Sequence, residues 1–427
     1  MKVKVIPQPW TGADVPKVKI PPSKSMAHRA IICASLAKGR SRIDNIDYSD
    51  DIEATISGME QLGAKIQRGD DYLVIDGIAD LHQLQTDRID CNESGSTLRF
   101  FIPIFTLSGK PVSFTGRNRL LKRPQGVYET LFRERGLRFE QREDHIVAEG
   151  TLPPGDYVLP GNVSSQFITG LLFALPLLQG DSTITVAPPF ESRSYVVLTL
   201  QVLETFGVHA SFRDENTLLV SGGQSYQPRD YTVEGDFSQL AFFAVMGAAG
   251  RDILCTGMQP ASQQGDKAIL SFIEAAGGRV EQRQDGYLIR KSDLQRKRIS
   301  IGDCPDLGPI LTVLAMYSRG TTVICDAERL RYKESDRIEA METELRKLGV
   351  AVTATESEMI IDGKEKYSCE EELFGHKDHR IVMSLAVAAV CGGFSVVIDG
   401  AECINKSYPG FFRDLEQTGV KVEVLED

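Results

Sequence analysis

"ISGMEQLGAKIQRGDDYLVIDG", Ile56 to Gly77, decides how the chain folds. Ile52, Ile56, Met59 and Leu62 lie 4, 3 and 3 residues apart, the spacing of one apolar face on an amphipathic helix. Gly63 suits the residue just past that helix, where left-handed backbone costs glycine little. The runs "AKIQRG" and "DYLVIDG" flank a charged turn and read as a β-hairpin.

This junction recurs along the chain. "QLGAKI" (Gly63), "ERGLRF" (Gly136), "TFGVHA" (Gly207), "AAGGRV" (Gly277), "KLGVAV" (Gly349) and "QTGVKV" (Gly419) are spaced by 73, 71, 70, 72 and 70 residues. A second series keeps the same beat, each glycine opening a β-rich run: "GRSRIDNI" (Gly39), "GKPVSFTG" (Gly109), "GDSTITVA" (Gly180), "GRDILCTG" (Gly250), "GTTVICDA" (Gly320) and "GGFSVVIDG" (Gly392). Two series in phase define six copies of one unit of about 71 residues. Each copy supplies two helices and about four strands.

The second helix of each copy is apolar nearly all round: "AIICASLA", "FFIPIFTL", "ITGLLFALPLL", "LAFFAVMGAA", "ILTVLAMY" and "IVMSLAVAAV". Such helices belong inside a domain. Their starts are polar: "SKSMAHR" near 25, "ESGSTLR" near 96, "SSQ" near 165, "DFSQ" near 238, "DLGP" near 307 and "KDHR" near 379. Serine and aspartate there serve as ordinary N-caps, Ser23 among them. Capping does not account for Lys24, Arg29, Arg99 and Arg380, because a cation opposes the dipole at a helix N-terminus. Those charges call for an anion, and a ligand is the simplest one.

Composition narrows the class. The 427 residues are 42% hydrophobic and 25% charged, a soluble globular composition too long for one ordinary core. A net charge of −11 argues against nucleic acid as the main partner. The eight cysteines (33, 91, 255, 304, 325, 369, 391, 403) show no C-x-x-C spacing and read as reduced thiols of a cytoplasmic protein. "MKVKVIPQPW" lacks the apolar core of a signal peptide, and runs such as "LLFALPLL" are too short to span a membrane. Neither nucleotide-loop motif, G-x-x-x-x-G-K-[ST] or G-x-G-x-x-G, occurs. "HKDH" (His376, His379) is poor evidence for a metal, so no metal and no cofactor are expected.

"PPSKSMAHRA", "ESGSTLR", "LKRP", "SSQF", "YKESDR", "DHR" and "NKSYPGFF", in that order from Lys24 to Lys406, closely resemble the 5-enolpyruvylshikimate-3-phosphate synthase family of enolpyruvyl transferases. The resemblance covers essentially the whole chain. It implies an α/β fold of two similar domains, each of three β-α-β-α-β-β repeats around buried helices, an inside-out α/β barrel. The expected boundaries are 1–17 with 236–427 for one domain, which includes the first strand, and 18–235 for the other. The active site is expected in a cleft that closes between them and excludes water.

The implied reaction moves the carboxyvinyl group of phosphoenolpyruvate to the 5-hydroxyl of shikimate 3-phosphate and releases phosphate, in the pathway to chorismate and aromatic amino acids. Both substrates are multiply anionic, which gives the cations a purpose. The resemblance assigns Lys24, Gly95, Arg123, Gln166, Arg337, Arg380 and Lys406 to phosphoenolpyruvate. To shikimate 3-phosphate it assigns Lys24, Ser25 and Arg29, with Ser164, Ser165, Gln166 and Ser192, then Tyr195 against the ring, Asp306 and Lys333. Glu334 resembles the acid that protonates the methylene carbon and Asp306 the base at the 5-hydroxyl, with Lys24 sharing proton work. Asp378 and His379 are expected to orient Arg380. A monomer with no membrane or nucleic-acid partner is implied.

Two positions depart from the family pattern. Glu93 and Arg329 stand where asparagine is common. A carboxylate beside a phosphate site repels substrate unless it points away or is partnered, so position 93 bears on any response to the family's inhibitor, glyphosate. The sister activity, enolpyruvyl transfer to UDP-N-acetylglucosamine, uses a cysteine in the loop before its R-P motif; here "GRNRLLKRP" has none, and Asn118 stands about there. A non-catalytic repeat scaffold would carry featureless helix starts, contrary to the clustered cations.

Overall fold

A computed structural model describes residues 1–82 and 84–425. Each repeat folds as a four-stranded sheet with one fully buried helix and one outer helix. The second repeat shows the plan: Arg88–Asp90 pairs parallel with Val112–Thr115, which pairs antiparallel with Ile146–Glu149, itself in a hairpin with Arg138–Gln141. The buried helix Gly95–Phe105 is the crossover of the parallel pair, as a parallel connection requires. In the opening stretch, Asp50–Leu62 is the outer helix and Lys65–Arg68 pairs with Tyr72–Asp76.

All six glycines of the first series adopt positive φ, from 65° at Gly136 to 119° at Gly63. The second series departs from the rule twice. Gly250 has φ −101°, and in the sixth repeat Gly392 lies inside the helix His379–Gly392 while Gly393 takes the left-handed turn.

Two compact units result, Met1–Ser23 with Glu234–Asp427 and Lys24–Val233. The strand Lys17–Lys19 pairs with Ile253–Thr256 in the first, and Asp230–Thr232 with Arg40–Asp44 in the second. Residues 18–23 and 234–235, expected with the middle of the chain, therefore lie with its ends. The first strand, Lys2–Pro7, inserts between Val396–Asp399 and Val420–Leu425 and completes the sixth sheet. Each unit has its own apolar core, and Ala30 to Ala34 of the helix Lys24–Leu36 are wholly buried. Of the eight cysteines, none bridged, five are buried. Among the described residues no helix is long and apolar enough to cross a membrane.

Four buried helices are capped by a side chain at their start. Ser94 Oγ accepts from the Thr97 N–H, Ser164 from Gln166, Asp236 from Ser238 and Gln239, and Asp378 from Arg380. The helix Gly308–Met316 is different. A 3-10 turn, Pro305–Leu307, precedes it, and no side chain caps it at Leu307. Asp306 is thereby released from capping, and its carboxylate meets cations instead.

Candidate active site

In the unit Lys24–Val233 the polar helix starts form one cluster. Lys24 Nζ lies 2.7 Å from Asp51 Oδ2, a partner on the outer helix of the same repeat that sequence reasoning missed. Acidic residues in a first helical turn are expected for the dipole alone, so "YSDDIEA" gave no sign of it. Arg29, 3% exposed, donates from Nε to Thr199 Oγ1 (2.9 Å), from Nη1 to the Ser25 carbonyl (2.7 Å) and from Nη2 to the Tyr195 carbonyl (3.1 Å). All three acceptors are uncharged, and among the described residues no carboxylate reaches Arg29. Burial pushes this guanidinium down to about 10, only partly offset by Tyr195 and Cys33. A buried cation held by neutral oxygens alone is costly unless an anion joins it.

Beside it, Gln166 joins two helix starts: its Oε1 accepts from Arg99 Nη1 (2.8 Å) and its Nε2 donates to Ser96 Oγ (3.0 Å). Arg99 Nη2 donates to the Pro124 carbonyl at 3.0 Å, fixing the turn that carries Arg123. A Cβ at Gly95 would lie 2.7 Å from Arg123 Nη1, so only glycine allows this approach of guanidinium to helix N-terminus. A buried chain His28–Thr55–Thr97–Ser94, with links of 2.7 Å, ties the first two repeats and makes His28 a structural neighbour. Ser192 starts the helix Arg193–Thr205 with φ 53°, one turn before Tyr195. Glu93 Oε2 accepts from Asn118 Nδ2 at 3.2 Å, so the two departures noted at positions 93 and 118 meet.

The unit formed by the chain ends carries the second cluster. Arg337, 1% exposed, donates to three carboxylates: Asp378 Oδ2 (2.8 Å), Glu334 Oε2 (2.9 Å) and Asp306 Oδ1 (3.0 Å). Lys333 Nζ also lies 3.0 Å from Asp306 Oδ1, Arg380 Nη2 3.3 Å from Asp306 Oδ2, and Lys406 Nζ 3.9 Å from Glu334 Oε1. Four cations thus face three carboxylates. Burial opposes charge on Asp306, but Lys333, Arg380 and Arg337 overcome it and hold the carboxyl well below its usual range. Burial likewise opposes charge on Arg337, and Asp378, Glu334 and Asp306 outweigh it, so its pKa rises. Lys333 moves the other way: burial and the neighbouring arginines lower it despite Asp306.

One expectation needs correction. Asp378 reaches Arg380 only through that residue's backbone N–H; its carboxylate oxygens go to the Arg337 guanidinium and Ser335 Oγ. Asp266 was also missed. It is 2% exposed, accepts from Ser238 Oγ, and is pushed up to about 6 by burial and by the negative charges of Asp306 and Asp236, against Arg380. Nothing in "QQGDKAIL" marks it, because its neighbours come from other repeats.

The family model of EPSP synthase (3-phosphoshikimate 1-carboxyvinyltransferase) matches residues 13–415. A 3-phosphoshikimate 1-carboxyvinyltransferase of Clostridium perfringens is 45% identical over 421 residues, 98% of each chain. One of Clostridioides difficile is 41% identical over 434 residues, 99% of this chain and 98% of the other. An EPSP synthase structure from Acinetobacter baumannii superposes with a TM-score of 0.80 at 24% identity over the full length of both chains. The enolpyruvyl transferase NikO from Streptomyces tendae gives 0.78 at 15% identity, over 99% and 98% of the two chains. At those identities the two structures speak to the fold, which is that of the enolpyruvyl transferases, while the sequence matches speak to descent. This chain belongs to the EPSP synthase (3-phosphoshikimate 1-carboxyvinyltransferase) family.

Proposed function

We propose that the protein transfers the carboxyvinyl group of phosphoenolpyruvate to the 5-hydroxyl of shikimate 3-phosphate, with the two clusters acting on one pair of substrates as the units close. The observation that carries this reading is Arg29, a buried cation whose donors all end on neutral oxygens. The carboxylate of shikimate 3-phosphate supplies the missing charge there, with Lys24 and Ser25 beside it. Its phosphate and hydroxyls fall to Ser164, Ser165, Gln166, Ser192 and Lys333, and its ring to Tyr195. Phosphoenolpyruvate takes Lys24, Arg123, Gln166 and the N–H groups near Gly95 from one unit, and Arg337, Arg380 and Lys406 from the other.

Chemistry follows from charge redistribution. An Asp306 held far below neutrality is a poor base. Phosphoenolpyruvate competes for Lys333, Arg337 and Arg380, and as they turn to its oxygens the Asp306 pKa rises. Asp306 then takes the 5-hydroxyl proton while the oxygen bonds to C2, and Glu334, entering protonated, gives its proton to C3. In the second half Glu334 recovers a proton from the new methyl group, the C2–O bond to phosphate breaks, and phosphate leaves with the electron pair. Lys24 and Lys406 stabilise the charge that builds on the adduct. We further propose a cytoplasmic monomer, in keeping with eight unbridged cysteines.

The test is phosphate release from phosphoenolpyruvate by the pure protein. Release should require shikimate 3-phosphate and be absent with UDP-N-acetylglucosamine; the opposite acceptor preference refutes the assignment.

A further inference from the structure

Directly before Asp378, two non-glycine residues in succession adopt left-handed backbone, His376 (φ 52°) and Lys377 (φ 55°). Each costs of order 1 kcal/mol or more and persists only where the surroundings enforce it. The enforcement is visible. Gly375 is pinned by its N–H to the Asp399 carbonyl (2.8 Å), and a Cβ there would lie 2.5 Å from Val382. His376 Nε2 lies 2.8 Å from Glu344 Oε1, while Glu344 Oε2 accepts from the Phe374 N–H (3.0 Å) and Lys347 Nζ (2.8 Å). Glu344 is 1% exposed. Burial acts to raise its pKa, but those three partners hold it below its usual value, so the anchor is ionised.

Glu344 lies two helical turns after Arg337 on the helix Arg337–Lys347, on the same face. That helix therefore grips the loop at two points: Arg337 on Asp378, and Glu344 on His376 and Phe374. We propose that His376 is a positioning residue, which ties the left-handed loop to buried Glu344 and so fixes Asp378 and Arg380 at the start of the helix His379–Gly392 for binding phosphoenolpyruvate. His376 touches no substrate in this scheme, and the tether gives "HKDH" a purpose other than metal. The inference rests on the proposed assignment of Arg337 and Arg380 to phosphoenolpyruvate.

The test combines steady-state kinetics with peptide-level hydrogen exchange over residues 374–381, on His376→Gly, His376→Gln and Arg380→Ala. Glycine removes the imidazole and also the backbone strain, so a residue that only had to fit its backbone would tolerate it. The tether predicts faster exchange in His376→Gly and a KM for phosphoenolpyruvate raised on the order of tenfold, with kcat and the KM for shikimate 3-phosphate little changed. Glutamine restores a donor to Glu344 and should recover both readouts. Unchanged exchange in His376→Gly overturns the tether, and so does failure of glutamine to rescue. Faster exchange with an unmoved KM overturns the link to binding. If Arg380→Ala also leaves that KM unmoved, the fault lies in the assignment of Arg380 rather than in the tether.

Discussion

Replacing Asp378 by alanine should cost the unit formed by the chain ends about 4 kcal/mol. The carboxylate is wholly buried and collects four donors: Arg337 Nε at 2.8 Å, Arg337 Nη2 at 3.3 Å, Ser335 Oγ at 3.0 Å and the Arg380 N–H at 3.0 Å. Removing one partner of a buried ion pair costs about 3–5 kcal/mol, and losing an N-cap about 1 kcal/mol more. The low end of the first range applies, because Arg337 keeps Asp306 and Glu334. Asparagine retains the cap acceptor and a partner for Ser335 and loses only the charge, so Asp378→Asn should cost about half as much.

The single tryptophan makes the measurement specific. Trp10 belongs to this unit, and its ring lies against Gly419. Urea unfolding followed by its fluorescence therefore reports on the unit without requiring the whole chain to unfold as one. At about 2 kcal/mol per M, the alanine variant should lose roughly 2 M in midpoint with m unchanged. Equal midpoints for the alanine and asparagine variants would show that the cap matters and the charge does not. A shift under about 0.3 M would refute the view that this ion pair holds the unit together.

Asp266→Asn probes a carboxyl that folding pushes up to about 6, from about 3.9 in the unfolded chain. Between those values the folded state binds more protons than the unfolded one, so wild-type stability falls as pH rises from about 4 to 6 and stays lower above. The asparagine variant should lack this slope and gain up to about 3 kcal/mol at pH 7.5; parallel pH profiles for the two proteins contradict the shift. Arg29→Met removes a buried cation whose depressed pKa costs the fold about 3 kcal/mol at neutral pH. It should unfold at higher urea than wild type while losing shikimate 3-phosphate binding, and a variant less stable than wild type would show that the neutral acceptors suffice.

The repeats were legible because they are local. A helix, a left-handed glycine and a hairpin are written within one stretch, and the beat of about 71 residues exposed all six. The boundaries were less so, since whether Val18 joins the strands before or after it depends on Cys255, its partner across 237 residues. The identities of the site residues followed from motifs, yet their partners did not. "YKESDR" suggests Glu334 beside Arg337, and the structure has that contact at 2.9 Å. It gives no hint of Asp378, 41 residues away, which binds the same guanidinium.

Arg29 and Arg337 make the same point about charge. In the sequence both are arginines near a helix start, and composition treats them alike. In the fold one is held by neutral oxygens and the other by three carboxylates, though both are buried. The first lowers stability until an anion arrives. The second raises it, and can serve a substrate only by exchanging partners it already has. Reading function from charge therefore requires knowing which cations the protein has already neutralised, and that depends on contacts between segments tens to hundreds of residues apart.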